Sequence, residues 1–400
     1  MIVRQAVPLA ALLAAGTVAY AQSNEATDVS PALRPAVTAY RTGDLAGAES
    51  SLRALAPADA DAMAWLGAIL LERGAQREGL RLIQQSADAG SAEGAHRLAL
   101  VFANGDGGTP RNEVRAVELF ERAAEKGHKR AQLNLGTLYL RGQGVPRDLI
   151  QARAWLEKAA ADGDPYALYA LGRAMSESLG PANADQVRAS DLYRRAAEKG
   201  HPFAALRYGL ALFDGSGVKR DVVAAQRWLV HAQGNGVPEA ALALGDMAAR
   251  TPASRDKATN EKILRLAINW FEVAANAGVP SAQFKLANAY LAGAGVARDP
   301  SQAQLWYGRA AQQGLTEAQN ALGIMLIGGA AGVSDPVEGY KWLVIAERGG
   351  HPESRAIREK TTEQIPDRDR KRAETLAQKF APTPETPVDP TPPRLNPPKP

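Results

Sequence analysis

The sequence predicts an all-α fold, an α-solenoid in which antiparallel helix pairs stack side by side into a right-handed superhelix. The first observation is a period, because glycines that follow Ala-rich segments recur mostly every 36 or 37 residues, with one interval of 42. The second is that five of the six tryptophans occupy one position of this period. The third is that Val- and Ile-rich alternating runs, which are typical of strands, are missing. The periodic glycines are Gly90, Gly127, Gly163, Gly200, Gly236, Gly278, Gly314 and Gly350.

Each period opens with the pattern of one helix followed by a turn. In the clearest copy, Ala131, Leu135 and Tyr139 lie four residues apart, which places them on one face of a helix. Gly136 leaves room on that helix for a close partner. Residues 142–145 then read Gly-Gln-Gly-Val, and the glycines favour a turn with positive φ.

The second half of each period predicts a second helix. Asp148 is followed three residues later by Gln151, an arrangement typical of a helix N-terminus. Trp155 lies between alanines on the same face, so we expect it to pack between hairpins rather than to bind a ligand. In a later period Pro300 takes the first helical position, where a missing N–H costs nothing. Gly163 ends the helix. Because one hairpin is too small to bury its apolar face alone, neighbouring hairpins must stack.

The whole spacing recurs from Ala204 to Gly236 and from Ala282 to Gly314. It resembles the Sel1-like repeat family, which is related to the tetratricopeptide repeat, and the resemblance covers about eight units in residues 62–352. Three units depart from the pattern. The first lacks most of the Gly-x-Gly turn, the fourth has Leu192 in place of tryptophan, and a later one carries an insertion at residues 251–260.

Residues 1–21 are predicted to be a secretory signal peptide. Arg4 provides a positive start, Leu9 to Val18 an apolar segment, and Ala19-Tyr20-Ala21 a cleavage pattern of small residues. The alternatives are an uncleaved anchor or a disordered N-terminus. With no cysteine after the apolar segment, lipid attachment is excluded. We therefore expect a periplasmic protein without an integral membrane segment after cleavage.

The remaining flanks predict caps and a tail. Residues 22–61 indicate one looser tetratricopeptide-like hairpin, and residues 353–380 indicate C-terminal capping helices with Ala373, Leu376, Ala377 and Phe380 on one face. Nine of the twenty residues 381–400 are proline, which predicts a disordered or polyproline II tail. Such a tail could reach a partner domain with a proline-binding groove.

Composition and family resemblance together favour a non-enzymatic scaffold or adaptor with protein or peptide partners. The 47 basic and 43 acidic residues are interspersed along the chain, so nucleic acid is not an expected partner. In related tetratricopeptide arrays the first helices line a groove that receives peptides, and proteins of the Sel1-like family occur in envelope biogenesis and polysaccharide export. Mapping that groove onto this sequence by resemblance gives five candidate partner-binding residues: Tyr169, Arg173, Phe284, Asn288 and Asn320. The alternative is that they are ordinary exposed or partly buried helix residues.

The alternative function is a hydrolase that acts on cell-wall or β-lactam substrates. Ser254 to Lys257 match the Ser-x-x-Lys spacing of penicillin-recognising serine enzymes, and some Cys-rich secreted members of the Sel1-like family have been linked to β-lactam binding. The Lys-Thr-Gly and Ser-Asp-Asn partners of that motif are missing from the sequence, so we expect no catalytic residues.

No metal or cofactor is expected either. Cysteine is absent, which excludes thiolate ligands. His128, His201 and His351 each follow the last glycine of a repeat, so repeat position explains them, and His96 and His231 look isolated.

Overall fold

The computed structural model describes residues 29–177, 182–251, 254–332 and 334–384. Every regular element in these residues is a helix, and no strand occurs among them, which confirms the predicted all-α class. In this part of the chain, no helix combines the length and the apolar character that a membrane crossing requires. The predicted signal peptide and residues 385–400 of the predicted tail lie outside the described residues.

The described residues contain nine helical hairpins followed by two C-terminal helices. Odd-numbered helices up to α17 are the first helices of the hairpins, and even-numbered helices up to α18 are the second helices. The helices are α1 (Arg34–Arg41), α2 (Leu45–Leu55), α3 (Ala60–Glu72), α4 (Gln76–Asp88), α5 (Ala92–Asn104), α6 (Glu113–Glu125), α7 (Lys129–Arg141), α8 (Leu149–Ala160), α9 (Pro165–Ser176), α10 (Ala182–Glu198), α11 (Pro202–Asp214), α12 (Val222–Gly234), α13 (Pro238–Ala249), α14 (Lys257–Asn276), α15 (Pro280–Ala292), α16 (Pro300–Gln312), α17 (Thr316–Gly328), α18 (Pro336–Arg348), α19 (Ser354–Thr361) and α20 (Asp367–Gln378).

The described residues form two compact units, 29–204 and 205–384, here called the N-terminal and C-terminal units. In the N-terminal unit each helix from α1 to α10 packs against the next one along the chain. The same holds from α12 to α18 in the C-terminal unit, where α19 and α20 both pack on α18. Stacked helix pairs of an α-solenoid are thus confirmed within each unit.

In several hairpins, glycine in the first helix allows close contact with the second helix. A Cβ atom on Gly136 of α7 would lie 2.6 Å from Cγ of Leu156 and 3.1 Å from the carbonyl oxygen of Ala152, both on α8. Gly172 of α9 receives the ring of Tyr193 in the same way, with a would-be contact of 2.7 Å. The predicted close approach is confirmed: the residue that follows the tryptophan position fills the space which glycine leaves.

The tryptophans pack as predicted. Trp228, Trp306 and Trp342 are buried, and Trp155 and Trp270 are half-buried. All five lie on second helices of the hairpins. Each buried tryptophan contributes mainly apolar surface to the contacts that hold the hairpins together.

The turns and helix starts also follow the sequence pattern. Gly142 and Gly144 both have φ of 69°, in the left-handed region that favours glycine. The carboxylate of Asp148 accepts hydrogen bonds from the backbone N–H groups of Ile150 (2.8 Å) and Gln151 (3.0 Å), and so caps α8. Asp299 caps α16 in the same manner.

The two C-terminal helices close the apolar face of the last hairpin. Ala373 and Ala377 of α20 are buried, and Phe380 contacts Trp342 of α18 with ring centroids 5.3 Å apart. Leu376, which the sequence places on the same face, is 41% exposed. The helix therefore buries a narrower stripe than the pattern indicated.

Two residues at the start of the predicted tail, Pro382 and Thr383, contact the helical array. The backbone N–H of Thr383 donates to the carbonyl of Gln312 at the end of α16 (2.9 Å). Pro382 lies beside Gly314, where a Cβ would be 3.1 Å from the proline ring. The chain thus returns from α20 to the turn between α16 and α17 at the start of the segment for which the sequence predicted a disordered or polyproline II tail.

Candidate partner-binding surface

The candidate residues fall at two equivalent positions of the first helices. Tyr169 and Arg173 lie one turn apart on α9, and Phe284 and Asn288 take the same two positions on α15. Asn320 is the first of these positions on α17. The α9 pair belongs to the N-terminal unit and the other three to the C-terminal unit.

Tyr169 is part of an aromatic cluster in the N-terminal unit. Its ring stacks on His201, with centroids 4.4 Å apart, and Tyr166 meets the same imidazole edge-on at 4.7 Å. Phe203 extends the cluster toward solvent and is 44% exposed. Nδ1 of His201 accepts the backbone N–H of Ala204, and burial lowers the pKa of His201 to about 4. The neutral imidazole therefore holds the aromatic rings in place.

Arg173 belongs to a group of three arginines, two of which form ion pairs with the same carboxylate. Glu177 accepts from Arg173 at 3.1 Å and from Arg147 at 2.5 Å. Arg141, the last residue of α7, has its pKa lowered by burial and then by the charge of Arg173. Among the described residues, no hydrogen-bond acceptor contacts the buried Nη1 of Arg141. This region therefore carries an excess of positive charge beside the aromatic cluster.

Phe284 and Asn288 contact the second helix of their own hairpin. The ring of Phe284 packs against Tyr307 of α16 at 5.6 Å, and the hydroxyl of Tyr307 donates to Oδ1 of Asn288. Phe284 is half-buried and Asn288 is exposed. The pair presents a small polar and aromatic surface on α15.

Asn320 is buried, in contrast to the groove position that the family mapping gave it. Only 7% of the residue is exposed, and the hydroxyl of Ser354 on α19 donates to its Oδ1 (2.8 Å). The side chain thus bonds the last hairpin to the C-terminal helices. In this structure it offers no surface to a partner.

Ser254, the nucleophile of the hydrolase alternative, lies in a helix-capping turn. Its Oγ accepts the backbone N–H of Asp256 (3.1 Å), and Asp256 in turn caps α14. The side chain of Asn260 closes the turn through both backbone groups of Ser254. A serine nucleophile needs a base directed at its hydroxyl. The contacts of Ser254 instead stabilise the turn that caps the N-terminus of α14.

One cluster was missed by sequence reasoning. The prediction that His96 is isolated is wrong, because its ring stacks on His128 with centroids 4.4 Å apart. Glu93 lies with them, and its Oε2 accepts from Nε2 of His128 at 2.9 Å. Burial opposes the charge of Glu93, but Arg97 and His128 outweigh it and hold the pKa of Glu93 well below its usual range. Burial lowers the pKa of His96.

The spacing of Glu93 and His96, one helical turn apart on α5, was the signal that could have suggested this cluster. A cavity of about 310 Å³ opens beside it. Its walls are formed by Val29, Asp61, Trp65, Ala92, Glu93, Lys126, Gly127, His128, Lys129 and Arg130.

The stacked hairpins define a helical-repeat protein whose equivalent side chains recur at fixed positions of the first helices. The Sel1 repeat model matches eight segments of the chain, and together these cover more than half of it. The chain belongs to the Sel1 repeat family. The matched segments are residues 60–91, 92–128, 129–164, 165–201, 202–230, 264–279, 280–315 and 316–351.

Known proteins agree with this assignment. A Sel1 repeat protein from Oxalobacter formigenes, known from its crystal structure, is 32% identical, with a TM-score of 0.61 over 78% of this chain and 90% of the other. A chitin synthase regulator from Saccharomyces cerevisiae is 31% identical over 57% of this chain. An ERAD-associated E3 ubiquitin-protein ligase component from Arabidopsis thaliana is 31% identical over 26% of it. The matches span 33% and 16% of those two longer relatives.

Proposed function

We propose that this chain is an exported, non-enzymatic adaptor that binds a protein or peptide partner through the first helices of its repeats. The observation that carries the proposal is the surface around Arg173, where Arg173 and Arg147 both pair with Glu177 and Arg141 adds a third positive charge beside the Tyr169 cluster. The names of two relatives, a chitin synthase regulator and a component of a ubiquitin ligase, support a role alongside other proteins.

The chemistry of this surface indicates what the partner segment contains. Guanidinium groups bind carboxylates through paired N–H donors, so Arg141 and Arg173 favour an aspartate, a glutamate or a chain terminus. The exposed face of Phe203 and the ring of Tyr169 favour an apolar or aromatic side chain nearby. A short acidic segment with one apolar residue satisfies both requirements.

Affinity purification from the native host tests the proposal, with the mature chain as bait. Reversing the charge in Arg173→Glu should reduce recovery of the bound partner at least about 10-fold, as truncation of an interface hot spot does. Arg265→Glu is the matched control, because Arg265 lies on a second helix and its side chain is 66% exposed. Equal recovery by both variants, with unchanged circular dichroism, would reject the surface around Arg173.

Export is proposed on the pattern of Arg4, Leu9 to Val18 and Ala19-Tyr20-Ala21. If it is correct, protein released from native cells by osmotic shock begins at Gln22, as intact mass and N-terminal sequencing will show. A chain that retains Met1 and stays in the cytoplasmic fraction contradicts the proposed location.

A further inference from the structure

The cluster of Glu93, His96 and His128 has the geometry of a metal site. Glu93 and His96 are one turn apart on α5, and His128 comes from the start of α7 in the next hairpin. One ligand atom from each residue lies within 4.8 Å of the other two. A single ion placed between them would therefore require only small side-chain movements.

A second observation points to a ligand. His96 is 97% buried, since only 3% of it is exposed, yet its Nδ1 has no hydrogen-bond partner among the described residues. Its other nitrogen, Nε2, lies 3.4 Å from the side-chain nitrogen of Asn134. A buried ring nitrogen without a partner is costly, and a metal bond at Nδ1 would satisfy it.

The surroundings supply what metal ligands usually need. With an ion on Nδ1, Nε2 of His96 carries the proton, and Asn134 can accept it after its amide rotates by 180°. Arg97 binds the other oxygen of Glu93, Oε1, and is itself held over the ring of Trp65 at 3.8 Å. The other oxygen, Oε2, is thus left to face His128 and is available to an ion.

We propose that Glu93, His96 and His128 bind one divalent transition-metal ion, with zinc as the ion whose preferred ligands they match. Two imidazoles and one carboxylate make three protein ligands, which leaves the fourth tetrahedral position for water. Glu93 and His128 line the cavity of about 310 Å³, so an ion and its water have a path to the site. The bound ion connects α5 directly to α7 and so braces two consecutive hairpins.

Binding requires one rearrangement at His128. Its Nε2–H now donates to Glu93, and its Nδ1 accepts the backbone N–H of Ala131 at 3.2 Å. When the ion takes Nε2, the proton moves to Nδ1 and the contact with Ala131 is lost. This exchange, together with the positive charge of Arg97, weakens the site relative to a structural zinc site, so a chelator should suffice to empty it.

The test uses the untagged mature protein, freed of metal by a chelator and titrated with Zn²⁺ by calorimetry. We expect one equivalent to bind and the melting temperature to rise with Zn²⁺. Co²⁺ should give the visible absorption of a tetrahedral site. His96→Leu and His128→Asn, which keeps a capping oxygen, should lower the affinity at least about 100-fold, and Asn134→Leu about 10-fold.

His201→Asn is the matched control, because His201 also caps a first helix through Nδ1 but stacks on Tyr169 instead of a second histidine. Its zinc binding should equal that of the unaltered chain. Failure of the folded wild-type protein to take up Zn²⁺ in a defined ratio would overturn the proposal, as would uptake that survives in His128→Asn. If His96→Leu fails to fold, Glu93→Gln takes its place with the same expected loss.

Discussion

Alanine at Gly339 should destabilise this protein, although glycine-to-alanine changes inside helices ordinarily stabilise. Gly339 lies on α18, where it faces Gly323 of α17. A Cβ at residue 339 would lie 2.7 Å from the carbonyl oxygen of Gly323 and 2.7 Å from Cγ1 of Ile327. Because one of these neighbours is backbone, the two helices must separate to admit the methyl group.

The magnitude follows from two opposing contributions. Alanine gains about 0.5–1 kcal/mol over glycine in a helix interior because it restricts the unfolded chain. Overpacking a close contact costs about 1–3 kcal/mol, and two contacts this short place Gly339→Ala in the upper part of that range. We expect a net loss of about 1–2 kcal/mol in the free energy of unfolding.

Urea denaturation followed by circular dichroism measures this change. Gly308→Ala on α16 is the control, since a Cβ there would meet no atom within 4 Å. That variant should gain about 0.5–1 kcal/mol, so the two substitutions are expected to have opposite signs. If Gly339→Ala stabilises the protein as much as Gly308→Ala does, the helices do not approach as closely as the structure shows.

Three further predictions concern packing, pH and capping. Trp306→Ala, which removes a buried second-helix side chain, should lower the free energy of unfolding by about 3–5 kcal/mol in urea denaturation, whereas an unchanged midpoint would place that indole in solvent. His201 has a pKa of about 4 when folded against an ordinary 6.5, so the unfolded chain takes up the proton first as pH falls. The stability that the neutral His201 contributes is complete above about pH 6.5 and is lost as the pH falls to about 4. The total loss is about 3 kcal/mol in the free energy of unfolding. His201→Asn should flatten the measured pH dependence by that amount. Asp299→Ala should cost about 1 kcal/mol through loss of the α16 cap, while Asp299→Asn should retain most of it, and equal melting temperatures for both variants would contradict the capping role.

The sequence predicts the helix pairs well because their determinants are local. Glycine spacing, the aspartate caps and the four-residue stripes each act within about one turn of chain, and the structure reproduces them at Gly136, Asp148 and Trp306. The would-be clash at Gly136 shows that even a close contact between helices was foreseeable, since it depends on one residue type at one repeat position.

Contacts between repeats were harder to predict. The ring of His128 reaches His96, 32 residues earlier, and repeat position alone does not fix where either imidazole points. Asn320 shows the same limit: its equivalent on α9 lies at the surface cluster, whereas Ser354 and the C-terminal helices cover Asn320 itself. Equivalent positions share a backbone environment, but their neighbours on the next hairpin differ.

The hydrogen bond from Thr383 to Gln312 fixes where the proline-rich sequence departs from the array. That point lies beside the turn at Gly314, before the last hairpin and not at the distal end of α20. A fusion partner placed after Pro400 would consequently be connected to the array beside the turn at Gly314. To lengthen the array with new repeats after α20, the contact between Thr383 and Gln312 would first have to be removed.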